Sequence, residues 1–290
     1  MTGLLAKHKI AARLIQSNDF FPLYDLAEIR FFLNQVQPDE GVFVITDEAW
    51  NESKRAFENK YAESTCFQVC INVIRDFEAA NSGKKYFSDL HVFIRESKLE
   101  DFLETDNETI FVSTMHKAKG REFDNVFLLL VNYQATTDED RRLLYVAMTR
   151  AKKNLTIHLN NKILHHISAL NLMHIEDKSE YPIPIELAMH LSFKDVWLDF
   201  FVRKQYAINR LKSGDELICN GIECTTSRGE PVLRFSKSFA DRIESMKQKN
   251  YIIHSVKVNF IVFWKKDEAE KEVKVILPEI SFLYQQENKI

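Results

Sequence analysis

Apolar residues recur along this chain with two different periods, and the places where the period changes mark its organisation. Leu26, Ile29, Phe32 and Leu33 repeat at helical spacing and predict a helix starting near Asp25. Ahead of it, Thr2–Lys9 reads as the end of a helix, Ala12–Gln16 as a short strand and Ser17-Asn-Asp19 as a turn. The polar stretch from about Asp47 to Glu104 carries four more helical patterns, Asp47–Glu58, Ser64–Ala80, Phe87–Glu96 and Lys98–Leu103, with a break at Asn81-Ser-Gly83 and no sheet period. The pattern then changes. Thr109–Ser113 and Asn125–Val131 are continuous apolar runs, the signature of strands buried on both faces of a parallel sheet. Asp138–Ala151 reads as a helix with Leu143, Leu144, Val146 and Ala147 inward, and Asn154–Leu159 as the next strand. Strand, helix and strand in that order imply a right-handed crossover and an α/β layer fold.

From about His190 the composition shifts again. Ser192–Arg210 is aromatic and helical, and Ser213-Gly214-Asp215 makes a turn. Strands are expected at Glu216–Cys219, Val232–Phe235, Ser255–Phe263, Glu272–Leu277 and Ile280–Leu283, with Ser236 capping a helix through Lys249. Val256, Val258, Phe260 and Val262 alternate as a half-buried strand does. The expected division is therefore 1–46, a helical stretch over 47–107, 108–189, and a separate small β-rich α+β domain over 190–290.

Composition changes this picture little. Hydrophobic residues make up 45% and charged residues 28% of the 290, as in an ordinary globular protein. No apolar run approaches the roughly 18–20 residues of a membrane span, and no signal-peptide pattern opens the chain, so no membrane partner and a cytoplasmic location are expected. The formal net charge is −3, yet the stretch from Thr114 to Lys153 holds eight Lys/Arg against five Asp/Glu. The four cysteines, Cys66, Cys70, Cys219 and Cys224, lack the tighter pairing of structural zinc sites and are expected to be buried free thiols, with no metal.

Candidate chemistry gathers where ligands gather in α/β sheets, beyond the carboxyl ends of the strands. The loop leaving the first apolar run offers the hydroxyls of Ser113 and Thr114, the imidazole of His116, the ammonium groups of Lys117 and Lys119, and a backbone opened by Gly120. Such groups suit phosphate oxygens, and Glu122 follows where it can accept from a sugar hydroxyl. Taken alone, the loop reads equally well as a solvated connection. Arg150, near the end of the following helix, is either a cation opposing the helix dipole or a guanidinium aimed at a transferring phosphoryl group. Arg141 and Arg142 suit solvent or ion pairs.

Thr-Met-His-Lys-Ala-Lys-Gly-Arg-Glu-Phe123 followed by Leu-Leu-Tyr-Val-Ala-Met-Thr-Arg-Ala-Lys152 resembles motifs V and VI of UvrD/Rep/PcrA-like superfamily-one DNA helicases, in order and nearly in spacing. The resemblance covers about Leu4–Asn160, with Leu26–Leu33 more weakly similar to the helix after motif IV. It implies a second RecA-like domain, a parallel sheet with a helical insertion, and a role in DNA repair. Carried over by position, it implies that Arg150 contacts the nucleotide γ-phosphate and that Gly120 and Glu122 line the nucleotide. Thr114, His116 and Lys119 would couple DNA contact to nucleotide state. The implied cofactors are ATP and Mg, held only together with an N-terminal RecA-like half in cis or trans. The implied partner is single-stranded or duplex-junction DNA.

Neither a Gly-x-x-x-x-Gly-Lys-Ser/Thr loop nor an apolar strand ending in Asp-Glu occurs; Ser82-Gly-Lys-Lys85 reads as a turn. The chain therefore reads as a C-terminal half, inactive alone. Two other readings exist. Glu272-Val-Lys274, with Asp267 nearby, places a carboxylate and a lysine on one strand face, as in metal-dependent nucleases. Trp197, Phe200 and Phe201, with Trp264-Lys-Lys266, suit a non-catalytic module that binds DNA or protein.

Overall fold

The computed structural model describes residues 5, 10, 12–14, 21–102, 110–118, 120–266 and 271–285. The expected helix over residues 2–9 and the turn at 17–19 lie outside the described residues but for Leu5. In chain order the elements begin with β1 (Ala12–Leu14), α1 (Ala27–Val36), β2 (Val44–Ile45), α2 (Asp47–Tyr61), α3 (Phe67–Ala80), β3 (Lys85–Tyr86) and α4 (Phe87–Glu96). There follow β4 (Ile110–Val112), β5 (Phe123–Leu130), α5 (Asp138–Met148), β6 (Ala151–Leu159) and β7 (Glu186–His190). The rest are α6 (Leu198–Phe201), α7 (Gln205–Ile208), β8 (Glu216–Asn220), β9 (Glu223–Thr225), β10 (Pro231–Arg234), α8 (Lys237–Lys247), β11 (Tyr251–Trp264) and β12 (Val273–Tyr284).

Two compact units share these elements: residues 1–17 with 108–183, and residues 18–107 with 184–290. The first is a parallel α/β unit. β5 and β6 pair in parallel, with Val126 opposite Leu155 and Leu128 opposite Ile157, and α5 provides the crossover. β1 and β4 form a second parallel pair. A small core of Leu128, Leu130, Leu144 and Ala147 sits between α5 and the β5–β6 pair. Burial on both faces of β5, expected from its continuous apolar run, does not occur. Strand alternation sends Leu128 and Leu130 under α5, while Phe127 and Leu129 are 65% and 51% exposed.

The second unit is built on a six-stranded antiparallel sheet in the order β10-β9-β8-β11-β12-β7. Its core joins residues far apart in sequence. Leu26, Ile29, Phe32, Trp50, Phe57 and Phe77 from the helices are buried in one cluster with Val258, Val262, Ile276 and Phe282 from the sheet. Leu26 even bridges Val262 of β11. The helical segment and the C-terminal β-rich region therefore form one body. The sequence pattern divides 47–107, as a helical stretch, from a small domain over 190–290; in the structure both segments contribute side chains to one buried cluster.

Local expectations fared better where packing agreed with periodicity. Thr46 accepts from Ala49 N (3.1 Å) at the start of α2, and Ser236 accepts from Phe239 N (3.3 Å) at the start of α8. Elsewhere the fold departs from the pattern. Ser192–Arg210 is broken into a 3-10 turn and the two short helices α6 and α7. Asp195, accepting from both the backbone N and the hydroxyl of Ser192, closes the first turn early. The two strands expected on either side of Pro278 are the single strand β12. Pro278 lies opposite Val258, where the register shifts, and its carbonyl accepts from Leu191 N (2.9 Å). β2, β3, β7 and β9 were not expected. Cys66 and Cys70 are buried free thiols, whereas Cys219 and Cys224 form a disulfide, being directly opposed across β8 and β9.

Candidate functional site

The parallel unit places the loop 113–122 and the end of α5 at one edge of β5. The sequence dictates how. Met115 packs against the core of Leu128, Leu130, Leu144 and Ala147, so the residues on either side of it, Thr114 and His116, stay exposed. The Thr114 carbonyl then accepts from Lys117 N (3.1 Å) and Ala118 N (3.3 Å), winding the loop into a 3-10 turn over His116–Ala118. Gly120 takes φ +84°, and a Cβ placed there would meet no atom within 4 Å. The glycine is thus required by its backbone conformation, and it leaves an open, exposed stretch of main chain. Lys119 lies outside the described residues.

Arg150 reaches the same edge. α5 begins with a capping box, Thr137 accepting from Asp140 N (3.1 Å) while Asp140 accepts from Thr137 N (2.9 Å). These bonds from Thr137 hold the Asp140 carboxyl below the usual carboxylate range. The helix ends at Met148, and two residues later the Arg150 carbonyl accepts from Phe123 N (2.8 Å), locking the start of β6 to the start of β5. Its guanidinium donates through Nε to the Val146 carbonyl (2.9 Å), through one terminal nitrogen to the Arg121 carbonyl (3.3 Å) and through the other to Thr149 Oγ1 (3.2 Å). Arg150 is therefore tied by its backbone to the start of β5 and by its side chain to the glycine loop.

The remaining site residues are near but otherwise engaged. Glu122 faces Lys152 at 3.6 Å, with both side chains more than half exposed, so this pair adds little to stability. Next to it Lys153 donates to Asp124 (2.7 Å), which holds the Asp124 carboxyl low. Arg141 pairs with Asp138 at 3.3 Å. The structure thus brings Gly120, Glu122 and Arg150 together and sets Thr114 and His116 at the far end of the same loop. Sequence reasoning did not assign Lys152 or the Arg121 carbonyl. Lys152 was findable, since it follows Arg150 by two on the strand that pairs with β5.

The nuclease residues fit less well. Glu272 accepts from Arg30 at 2.6 Å, Lys274 lies 5.5 Å from the ring centre of Phe263, and Asp267 lies outside the described residues. Among the described residues no three His, Cys, Asp or Glu side chains cluster as a metal site requires, and no helix is long and apolar enough to cross a membrane.

Comparison with known proteins bears on the same region. The family model of the UvrD-like helicase C-terminal domain matches residues 6–162. The chain is 41% identical over 88 residues to the DNA helicase II of Rickettsia typhi, covering 24% of this chain and 13% of that protein. It is 31% identical over 157 residues to the ATP-dependent DNA helicase Rep of Buchnera aphidicola, covering 47% and 23%. Against the ATP-dependent DNA helicase PcrA of Bacillus subtilis the identity is 28% over 205 residues, covering 64% and 27%. The chain thus matches only about an eighth to a quarter of the length of these relatives.

Proposed function

The chain belongs to the family of UvrD-like helicase C-terminal domains, and on that footing we propose that it is the arginine-bearing half of an ATP-dependent DNA helicase. The parallel unit is then a RecA-like domain. The observation that carries this reading is the double attachment of Arg150, to the first residue of β5 through Phe123 N and to the glycine loop through the Arg121 carbonyl. A guanidinium has five donors in a rigid fork, and three of its bonds here are to neighbouring backbone and hydroxyl groups. Exchange of the Arg121 carbonyl or the Thr149 hydroxyl for a phosphate oxygen is a small side-chain movement from this position.

The residues present fit one wall of a nucleotide site. Gly120 opens the main chain toward phosphate, Glu122 is exposed and able to accept from a ribose hydroxyl, and Arg150 offers positive charge at the same edge. Bound ATP with magnesium supplies the anhydride bond whose hydrolysis powers a helicase. This chain's part is to orient the nucleotide and to offset charge that builds on the phosphoryl group. The ion itself is assigned to the opposing RecA-like half. Thr114, His116 and Lys119, on the same loop, are assigned the contact with single-stranded DNA that the nucleotide state controls.

The test pairs this chain with a polypeptide that carries a Walker loop, in cis or in trans. DNA-stimulated ATP hydrolysis is expected to fall by about 10³-fold or more in Arg150→Ala, the scale of an arginine finger. The chain alone is expected to show no hydrolysis. An unchanged kcat in Arg150→Ala, or hydrolysis by the isolated chain that survives that substitution, overturns the assignment.

A further inference from the structure

A second surface, in the antiparallel unit, has the chemistry of a single-strand platform. Trp197 leaves the helical pattern: its backbone is extended, and its N–H donates to the Arg234 carbonyl (2.9 Å), fixing it beside β10. Trp197 is consequently 45% exposed, whereas Phe201, four residues later, is fully buried. Phe201 and the neighbouring Val196 anchor this segment in the core, and Val196 also bridges Phe235. The platform therefore stands on a buried base.

Its upper layer alternates π-faces with cations. The Arg234 guanidinium lies 4.7 Å from the centre of the Trp197 ring. On that ring's other neighbour, Phe200, the centroid distance is 6.1 Å, and Lys204 Nζ lies 5.3 Å from the Phe200 centre. Lys266 at the end of the β11 side joins the group by donating to Asp199 (2.8 Å). Arg203 and Lys265 are exposed next to it. Among the described residues of this segment and its neighbours, Arg203, Lys204, Arg234, Lys265 and Lys266 outnumber Asp195, Asp199 and Glu223, a local excess of cations on a chain whose formal charge is −3.

A protein core does not require an exposed tryptophan covered by an arginine. Unpaired bases do stack on such rings and on guanidinium planes, while flanking cations follow the phosphates. The positive charge favours a polyanion over an apolar peptide or a second copy of this chain. We infer that the Trp197–Arg234–Phe200–Lys204 surface binds single-stranded nucleic acid, as a site separate from the loop 113–122. The inference stands on the antiparallel unit alone and does not depend on the nucleotide-site reading.

The test is fluorescence anisotropy of the full chain with labelled 20-mers of deoxythymidine and of uridine, over a salt series. Trp197→Ala and Arg234→Ala are each expected to weaken binding about 10-fold, and Trp197→Phe to restore most of it, because any aromatic face supports stacking. Lys204→Ala is expected to weaken binding to both oligomers alike and to lower the salt slope by about one. Tighter binding of one oligomer identifies the platform's strand as DNA or RNA; either supports the inference. Unchanged thermal midpoints keep the result apart from misfolding. Wild-type affinity in both Trp197→Ala and Arg234→Ala overturns the platform, as does equal loss in Trp197→Phe, or saturation of Trp197 by a proline-rich peptide with no effect of either oligonucleotide. None of these outcomes alters the ATP-hydrolysis test of Arg150.

Discussion

Glu28 is a carboxylate residue in an environment its type does not suggest. It sits on α1 beside Ile29, is 1% exposed, and accepts from the Ser64 hydroxyl at 2.8 Å through one oxygen. Burial pushes its carboxyl above the usual range and outweighs the hydrogen bonding that lowers it. The sign follows from proton linkage. Because the folded pKa is raised, the folded protein holds a proton that the unfolded chain has released between the two values. Stability is therefore full below the ordinary glutamate range and falls as pH rises through the raised value. Glu28→Gln, which keeps the acceptor for Ser64, is expected to flatten the fall in thermal midpoint as pH rises above the ordinary glutamate range. An unchanged pH profile in that variant counts against the buried, proton-holding carboxyl. Glycine makes a second point at this scale. Gly214 has φ +104°, and a Cβ there would lie 2.8 Å from Thr65 Cγ2, whereas at Gly120 it would meet nothing. Gly214→Ala is accordingly expected to cost more than the roughly 1–2 kcal/mol of backbone strain that Gly120→Ala incurs. Urea unfolding of the two variants checks the order.

Elements were legible where one face is buried and the other wet. α1 and α4 follow their periodicity closely, because Ile29, Phe32 and Leu33, and then Leu90 and Ile94, all turn to one core. Strand ends were less legible. β12 runs through Pro278 because its partner β11 bulges there, and nothing local in Leu-Pro-Glu announces a bulge on another strand. α5 is the element on which the candidate site depends, since its last turn delivers Arg150. Its capping box at Thr137 is a local device that the run Thr-Thr-Asp-Glu-Asp carries openly. Thr137→Ala is expected to cost about 1 kcal/mol. It should also speed amide exchange in the first turn of α5, leaving the antiparallel unit unaffected. Equal exchange in variant and parent would mean that tertiary packing alone holds that helix.

At the scale of the whole chain, the division into units was the least legible property. The core of the antiparallel unit is assembled from residues 21–102 and from residues 191–282, with the parallel unit's sequence between them. Residues 190–290 expressed alone are therefore expected to lack a cooperative unfolding transition, since Val262 and Ile276 lose the helices that cover them. A sharp, two-state urea transition of that fragment would refute the shared core. The glycine loop and the arginine helix, by contrast, were readable, because both chemistry and spacing are local: a strand, a turn that needs Gly120, and a helix with Arg150 near its end, although that helix stops at Met148 and not at Ala151. Sequence alone determined these elements and the family resemblance, because each depends on residues within one or two turns of each other. Tertiary structure alone decided that Arg150 is tied to the Arg121 carbonyl, that Trp197 stands out beside Arg234, and that Glu28 is buried. Those facts depend on which distant faces meet, and hydrophobic periodicity marks a face as apolar without naming what will cover it.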